Sequence, residues 1–219
     1  MMRTLSKDKY EELLAQSEIM EQDRYGIKVI RMPDGNFLKT FWFRRVVSSR
    51  RIYPEAYRFS LNAKALHRRA VPTVKVIKRI QIPHLKRTGV IYRPLAGRTL
   101  RQVAKAGEFN DELAEQLGAF VAVLHRQGVF FRALHLGNVL LCPDGTLGLI
   151  DISDLTAYPW ALGQRACLRN FYHLFRYPED SQVLSDAGIS AFMDGYAKEK
   201  FCPRMQRRMR RKIKRWVAE

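Results

Sequence analysis

Residues 128–155, GVFFRALHLGNVLLCPDGTLGLIDISDL, hold the pattern around which the rest of this chain falls into place. Two β-rich runs, VFFRALHLGNVLL and TLGLIDI, flank Pro143-Asp144-Gly145. That tripeptide combines a preset φ, a backbone-bonding carboxylate and freedom at positive φ, which together make a tight turn. Asn138 and Asp151 lie thirteen residues apart, each at the end of a short β-like run. A carboxamide oxygen and a carboxylate are hard donors of the kind that Mg²⁺ takes, with its other positions left to water and phosphate oxygens. Alone, Asn138 would read as an Asn turn after Gly137 and Asp151 as the cap of the next turn. Their order and separation point instead to a magnesium-nucleotide site.

On the N-terminal side, residues 4–16 have apolar spacing at Leu5, Leu13 and Leu14 behind Ser6, which predicts a short leading helix. GIKVIRMPDGNFLKTFWF predicts a hairpin around Pro33-Asp34-Gly35-Asn36. A helix is expected from Pro54 to His67, with Tyr57, Leu61, Ala65 and Leu66 on its apolar face. VKVIKRIQI and TGVIYRPL read as two more strands, and Ala96-Gly97-Arg98 as the connection to a second lobe. Residues 110–127 carry the best helical pattern: Asn110 or Asp111 to cap it, acids in the first turn, then Leu113, Leu117, Phe120, Val121 and Leu124. From Gly163 onward, helices are expected between Pro178, Gly188 and Pro203. The expected class is α+β, with a small antiparallel sheet plus helix followed by a mainly helical lobe. Its divisions are a leading helix at 1–17, a first lobe at 18–96, a second at 97–203 and a tail at 204–219.

Composition narrows the function classes. The chain of 219 residues is 47% apolar, enough for a real core. Cys142, Cys167 and Cys202 match no zinc or C-x-x-C spacing, which suits a reducing cytoplasm. A charged start and the lack of a long apolar run predict neither secretion nor a membrane span. The net charge is +18 and unevenly spread. Residues 35–106 hold 18 Lys and Arg against one acid, Glu55, whereas residues 107–203 hold 7 against 12 acids. Eight more basic residues lie in 204–215, where Met205, Met209, Ile213 and Trp216 follow helical spacing. That pattern predicts an interfacial amphipathic helix on an anionic membrane surface, and equally a terminal helix packing its four apolar residues on the second lobe. Nucleic acid is disfavoured, because zinc spacing, RNP-like aromatics and a helix-turn-helix pattern are all missing.

The loop itself resembles a known family. Phe131-Arg132-Ala133-Leu134-His135-Leu136-Gly137-Asn138-Val139-Leu140, followed by Leu149-Ile150-Asp151, is similar to the His-x-Asp-Leu-His-x-Gly-Asn-Val-Leu and Leu-Ile-Asp segments of protein-kinase-like proteins. Within that superfamily the chain looks most like the bacterial lipopolysaccharide core (Kdo and heptose) kinases, including the toluene tolerance protein group. Residues 134, 135, 137 and 138 match, while 131 and 133 depart from the pattern.

The resemblance implies a bilobed kinase-like fold using ATP and Mg²⁺. Asn138 and Asp151 would hold the metal, and Lys39 would contact the α and β phosphates. Glu55 would orient Lys39, with Asn62 as the competing helix position, and Gly26 would be the remnant of a phosphate-covering turn. His135 is kept as a structural histidine, and Asp154 lies near enough to Asp151 to assist. Ala133 occupies the position of the Asp that accepts the acceptor's hydroxyl proton. A general base is worth about 10²- to 10⁴-fold, so the chain is expected to be a slow or rewired kinase, or a nucleotide-binding pseudokinase acting as a scaffold or regulator of envelope biogenesis. The implied acceptor is a sugar hydroxyl of the lipopolysaccharide core or another phosphorylated glycolipid, at the cytoplasmic face of the bacterial inner membrane. A small-molecule phosphotransferase like the aminoglycoside kinases fits less well, since those present an acidic pocket and this first lobe is cationic.

Overall fold

A computed structural model describes residues 2–42, 54–186 and 188–199, together with Arg207, Arg211 and Lys212. The chain divides into two compact units, residues 1–68 with 73–95, and residues 69–72 with 96–219.

The first unit is a six-stranded sheet with one helix on each face. Its strands are β1 (Arg3–Thr4), β2 (Glu18–Asp23), β3 (Gly26–Arg31), β4 (Phe37–Trp42), β5 (Lys75–Ile82) and β6 (Arg87–Arg93), in the order β1-β5-β6-β4-β3-β2. All pairings are antiparallel except that of β1 with β5. Ser6 caps α1 (Lys7–Ala15), its side chain accepting from Lys9 N. Tyr10 of α1 packs with Ile30, Leu38, Ile80, Ile82 and Ile91. The opposite face meets α2 (Glu55–His67), where the Phe59 ring lies against Phe41 and Tyr92. The buried stripe of α2 is Ala56, Phe59, Asn62, Ala63 and Leu66. Leu61, expected on the apolar face, is instead exposed. Strand β2 goes beyond the sequence expectation, because its segment EIMEQD is exposed at all but its last residue and its two apolar residues, Ile19 and Met20, are adjacent, which leaves no alternation to detect.

The second unit is mainly helical. Its helices are α3 (Leu100–Lys105), α4 (Asp111–Arg126), α5 (Gln164–Phe175), α6 (Pro178–Asp186) and α7 (Ile189–Glu199). Short strands β7 (Arg98–Thr99), β9 (Val139–Leu141) and β10 (Leu147–Leu149) form one sheet, and β8 (Val129–Phe131) pairs with β11 (Leu155–Ala157) in another. The α+β class, with its antiparallel sheet plus helix and then mainly helices, is the one expected from the sequence.

Asn110 is the cap of α4, accepting from Leu113 N at 2.9 Å. Helix α4 buries Leu113, Leu117, Val121 and Leu124 and is crossed closely by α7. The approach depends on two glycines: a Cβ on Gly118 would fall 1.8 Å from Phe192 O, and one on Gly195 would fall 1.9 Å from Glu115 O. Behind this crossing, Phe171, Phe175, Phe192 and Tyr196 form an aromatic cluster. Among the described residues no helix is long and apolar enough to cross a membrane. The basic tail expected at 204–219 lies outside the described residues, apart from exposed Arg207, Arg211 and Lys212.

Candidate functional site

What the sequence presents as one β-rich run, residues 129–141, is two strands with a loop between them. β8 ends at Phe131 and β9 begins at Val139, so residues 132–138 form a bridge between the two small sheets. β9 then turns into β10 through Pro143-Asp144-Gly145, where Gly145 N donates to Cys142 O at 2.9 Å and Thr146 N to Asp144 Oδ1 at 3.0 Å. The antiparallel register puts Leu149 opposite Val139. One step further, Ile150 N donates to Asn138 O at 3.0 Å. Asn138 and Asp151 are therefore brought to the same end of one strand pair.

Their side chains are prepared differently. Asn138 is buried, and its amide Nδ2 donates to Ala133 O at 2.9 Å, also lying 3.0 Å from His135 Nε2. Because a carbonyl must receive a hydrogen, the Ala133 contact fixes which end of the carboxamide faces inward. The Oδ1 atom is thereby turned away from the loop, and among the described residues no hydrogen bond occupies it. Asp151 is exposed and sits at φ 49°, ψ 46°. This left-handed conformation, rare outside Gly, Asn and Asp, turns the chain sharply off β10 into a 3₁₀ turn at Ile152–Asp154. Asp154 is exposed, and its backbone oxygen accepts from Arg132 N at 3.1 Å, closing the loop.

His135 lies inside the loop. Gly137 N reaches its Nδ1 at 3.1 Å and Asn138 Nδ2 its Nε2. A neutral imidazole accepts at only one nitrogen, so these two contacts compete for it. Burial, and secondarily Arg101, lower the pKa of His135 and keep it neutral. That suits a structural role better than proton transfer.

Two networks brace the loop, and neither was recognised in the sequence. The first joins α3 to α6. Asp180, 1% exposed, accepts from Arg101 Nε and Nη2 at 2.9 Å each, and from Leu136 N at 3.0 Å. Arg101 N in turn donates to Leu136 O at 3.2 Å, so both polar atoms of residue 136 are held. The second starts at Phe131 O, which accepts from Asn170 Nδ2 at 2.6 Å. Asn170 Oδ1 meets His125 Nε2 at 3.1 Å, and His125 Nδ1 meets the Tyr196 hydroxyl at 2.9 Å. Burial pushes the Tyr196 hydroxyl far above the ordinary phenol range, so it stays protonated. Asp180 and Asn170 sit 44 and 39 positions from the backbone they hold, and only the fold brings them there.

In the first unit, Lys39 lies between Val29 and Val90 across the sheet, half-buried. By strand alternation it shares the α2 face with Phe37 and Phe41. On α2, Glu55, Phe59, Asn62 and Leu66 recur at helical spacing along one stripe, so both candidate partners face the sheet. Asn62 is buried and Glu55 half-buried. Gly26, at φ 109°, closes the two-residue turn between β2 and β3. The turn is clamped: the buried Arg87 guanidinium donates to Tyr25 O, Ile27 O and Thr40 Oγ1, and stacks over Trp42 at 4.7 Å.

The donors at Asn138 and Asp151 fit a hard divalent cation. Among the described residues no group of three or more His, Cys, Asp or Glu could hold a metal ion, so such a cation would need phosphate and water oxygens to complete its shell.

No protein-family model and no curated protein matches this chain. Among solved structures it is similar to a divergent kinase lacking the glycine-rich loop, which regulates membrane ultrastructure of the Toxoplasma parasitophorous vacuole. That likeness has 15% identity and a TM-score of 0.49 over 86% of this chain and 74% of that one. It is also similar to the bifunctional kinase-methyltransferase WbdD, at 15% identity and TM-score 0.45, covering 82% of this chain and 41% of that one. The complex of WbdD with the kinase inhibitor LY294002 gives 14% identity and TM-score 0.45, with 89% and 44% covered. The chain thus spans less than half the length of WbdD. These are likenesses of fold at low identity, and they do not bear on this chain's nucleotide, acceptor or location.

Proposed function

We propose that this protein is a kinase-like phosphotransferase that binds Mg²⁺ and ATP through Asn138 and Asp151, with Lys39 on the phosphates and Glu55 or Asn62 behind it. The observation that carries this reading is the joint placement of residues 138 and 151. The Ile150-to-Asn138 bond brings the two residues to one end of the strand pair, the Asn138 amide nitrogen is taken up by the Ala133 carbonyl, and Asp151 is exposed at a left-handed turn. The bound metal would supply charge neutralisation on the phosphates. The chain's part is to position: residue 138 through Ala133, and the loop through Asp180.

The acceptor we propose is a sugar hydroxyl of the lipopolysaccharide core, reached at the cytoplasmic face of the bacterial inner membrane with residues 204–219 on the anionic leaflet. The net charge of +18 supports a phosphate-rich acceptor and membrane. Ala133 supports a second reading, a nucleotide-binding pseudokinase serving as scaffold or regulator. Its methyl side chain cannot take a proton.

Thermal stabilisation by Mg-ATP tests the site, since a ligand bound only to the folded form raises the melting temperature. The shift should vanish in Asp151→Ala and Asn138→Ala, and a shift left intact in Asp151→Ala would remove the metal assignment. Phosphate transfer to purified core glycolipid by wild type would reject the scaffold. Silence in both wild type and Ala133→Asp would reject the enzyme.

A further inference from the structure

Far from the catalytic loop in sequence, the first unit has a groove of about 410 Å³ between α2 and β5. Lys64, Lys75, Lys78 and Arg79 line it together with Leu61 and Ile77, and none of its lining residues is acidic. Arg79 is held in place, its guanidinium 4.7 Å over the Tyr57 ring. The strand forming one wall is open. β1 covers β5 only at Ile80 and Gln81, and among the described residues no strand pairs with the outer edge of residues 75–79.

Lysines on an open edge ordinarily keep other chains away. This edge does not follow that rule, because Ile77 is 50% exposed and Leu61, on the facing helix, 43% exposed. An apolar side chain at the rim of an unpaired strand invites pairing, and the cations around it select the sign of what pairs. A lipid headgroup layer is flat and would meet a convex basic face, whereas this surface is a trough running along a strand.

We propose that the α2–β5 groove docks an extended acidic segment of a partner protein. The segment would add as a further strand along residues 75–79, with carboxylates on the face of Lys75 and Lys78, which register with Arg93 and Ile91, and apolar side chains on the α2 face against Leu61 and Val76, the two faces meeting at the irregularity of β5 at Ile77. Strand addition supplies affinity through main-chain hydrogen bonds, and the alternating side chains supply specificity. This docking is independent of the nucleotide reading.

Fluorescence anisotropy of a labelled peptide with alternating Glu and Val tests it on the full chain. The variant Lys75→Glu/Lys78→Glu should weaken binding by about tenfold or more. Lys105→Glu/Arg165→Glu, which makes the same change in net charge at exposed positions elsewhere, should leave it within about twofold. The same peptide N-methylated at alternate residues cannot add to a strand and should fail to bind. Equal loss in the two variants would overturn the proposal in favour of the chain's overall field. Undiminished binding of the N-methylated peptide would overturn strand addition. Loss of phosphatidylserine vesicle binding in Lys75→Glu/Lys78→Glu, with no peptide binding by wild type, would assign the groove to a membrane instead.

Discussion

Replacing Asp180 with Ala should loosen the loop at residues 132–138. The carboxylate is 1% exposed and carries three hydrogen bonds, two from Arg101 and one from Leu136 N. Removing one partner of a buried ion pair costs about 3–5 kcal/mol. Two features reduce that here. The Arg101 side chain is 28% exposed, and it keeps a second carboxylate, Glu179, at 2.9 Å. The orphaned Leu136 N–H adds about 1–3 kcal/mol, because the peptide is buried. We expect a net loss of about 3 kcal/mol, or roughly 6–12 °C in melting temperature for a chain of this size. The assay is urea or thermal unfolding of Asp180→Ala, Asp180→Leu, Arg101→Met and the double variant Arg101→Met/Asp180→Leu, whose loss is compared with those of Asp180→Leu and Arg101→Met. An apolar pair of similar volume can replace a buried ion pair at little cost, so the double variant should be more stable than Asp180→Ala. A loss below about 0.5 kcal/mol in Asp180→Ala, or strictly additive losses in the double variant, would refute the brace.

Two further outcomes follow from the same packing and burial. Gly118→Ala should destabilise by about 2–3 kcal/mol or more, because its methyl would meet the Phe192 carbonyl. Gly163→Ala, which opens onto space, should stay within about 0.5 kcal/mol in the same denaturant titration. His173 is 8% exposed with both ring nitrogens lacking hydrogen-bond partners, and burial, then Arg176, Arg169 and Arg132, lower its pKa. The unfolded chain therefore takes the proton first, from about pH 6.5. Stability is full above that value and falls as pH drops through the folded pKa, a decline that calorimetry at a series of pH values should find flattened in His173→Phe.

The fold was legible where a residue type has one dominant local use. Pro33-Asp34-Gly35 and Pro143-Asp144-Gly145 announce their turns, and in both the aspartate bonds the chain two residues on. The stripe of α4 and its Asn110 cap are equally plain, since periodicity and capping act within a few residues. Helix α2 was harder, because its inward stripe includes Ser60 and Asn62 and its outward face carries Leu61. Asn138 and Asp151 stand out from order and spacing alone, and the β9–β10 register brings the two residues to one end of the strand pair. The partners that position them do not stand out. Asp180, Asn170 and Arg101 are ordinary polar residues in sequence, and their importance lies in backbone atoms brought to them by the packing of α3, α5 and α6.

Arg87 gives the β2–β3 turn a character of its own. Tyr25, Ile27 and Thr40 are all tied by one desolvated guanidinium. Arg87→Ala would strip a donor from all three at once, so the turn, its two strands and β4 should come loose together and not piece by piece.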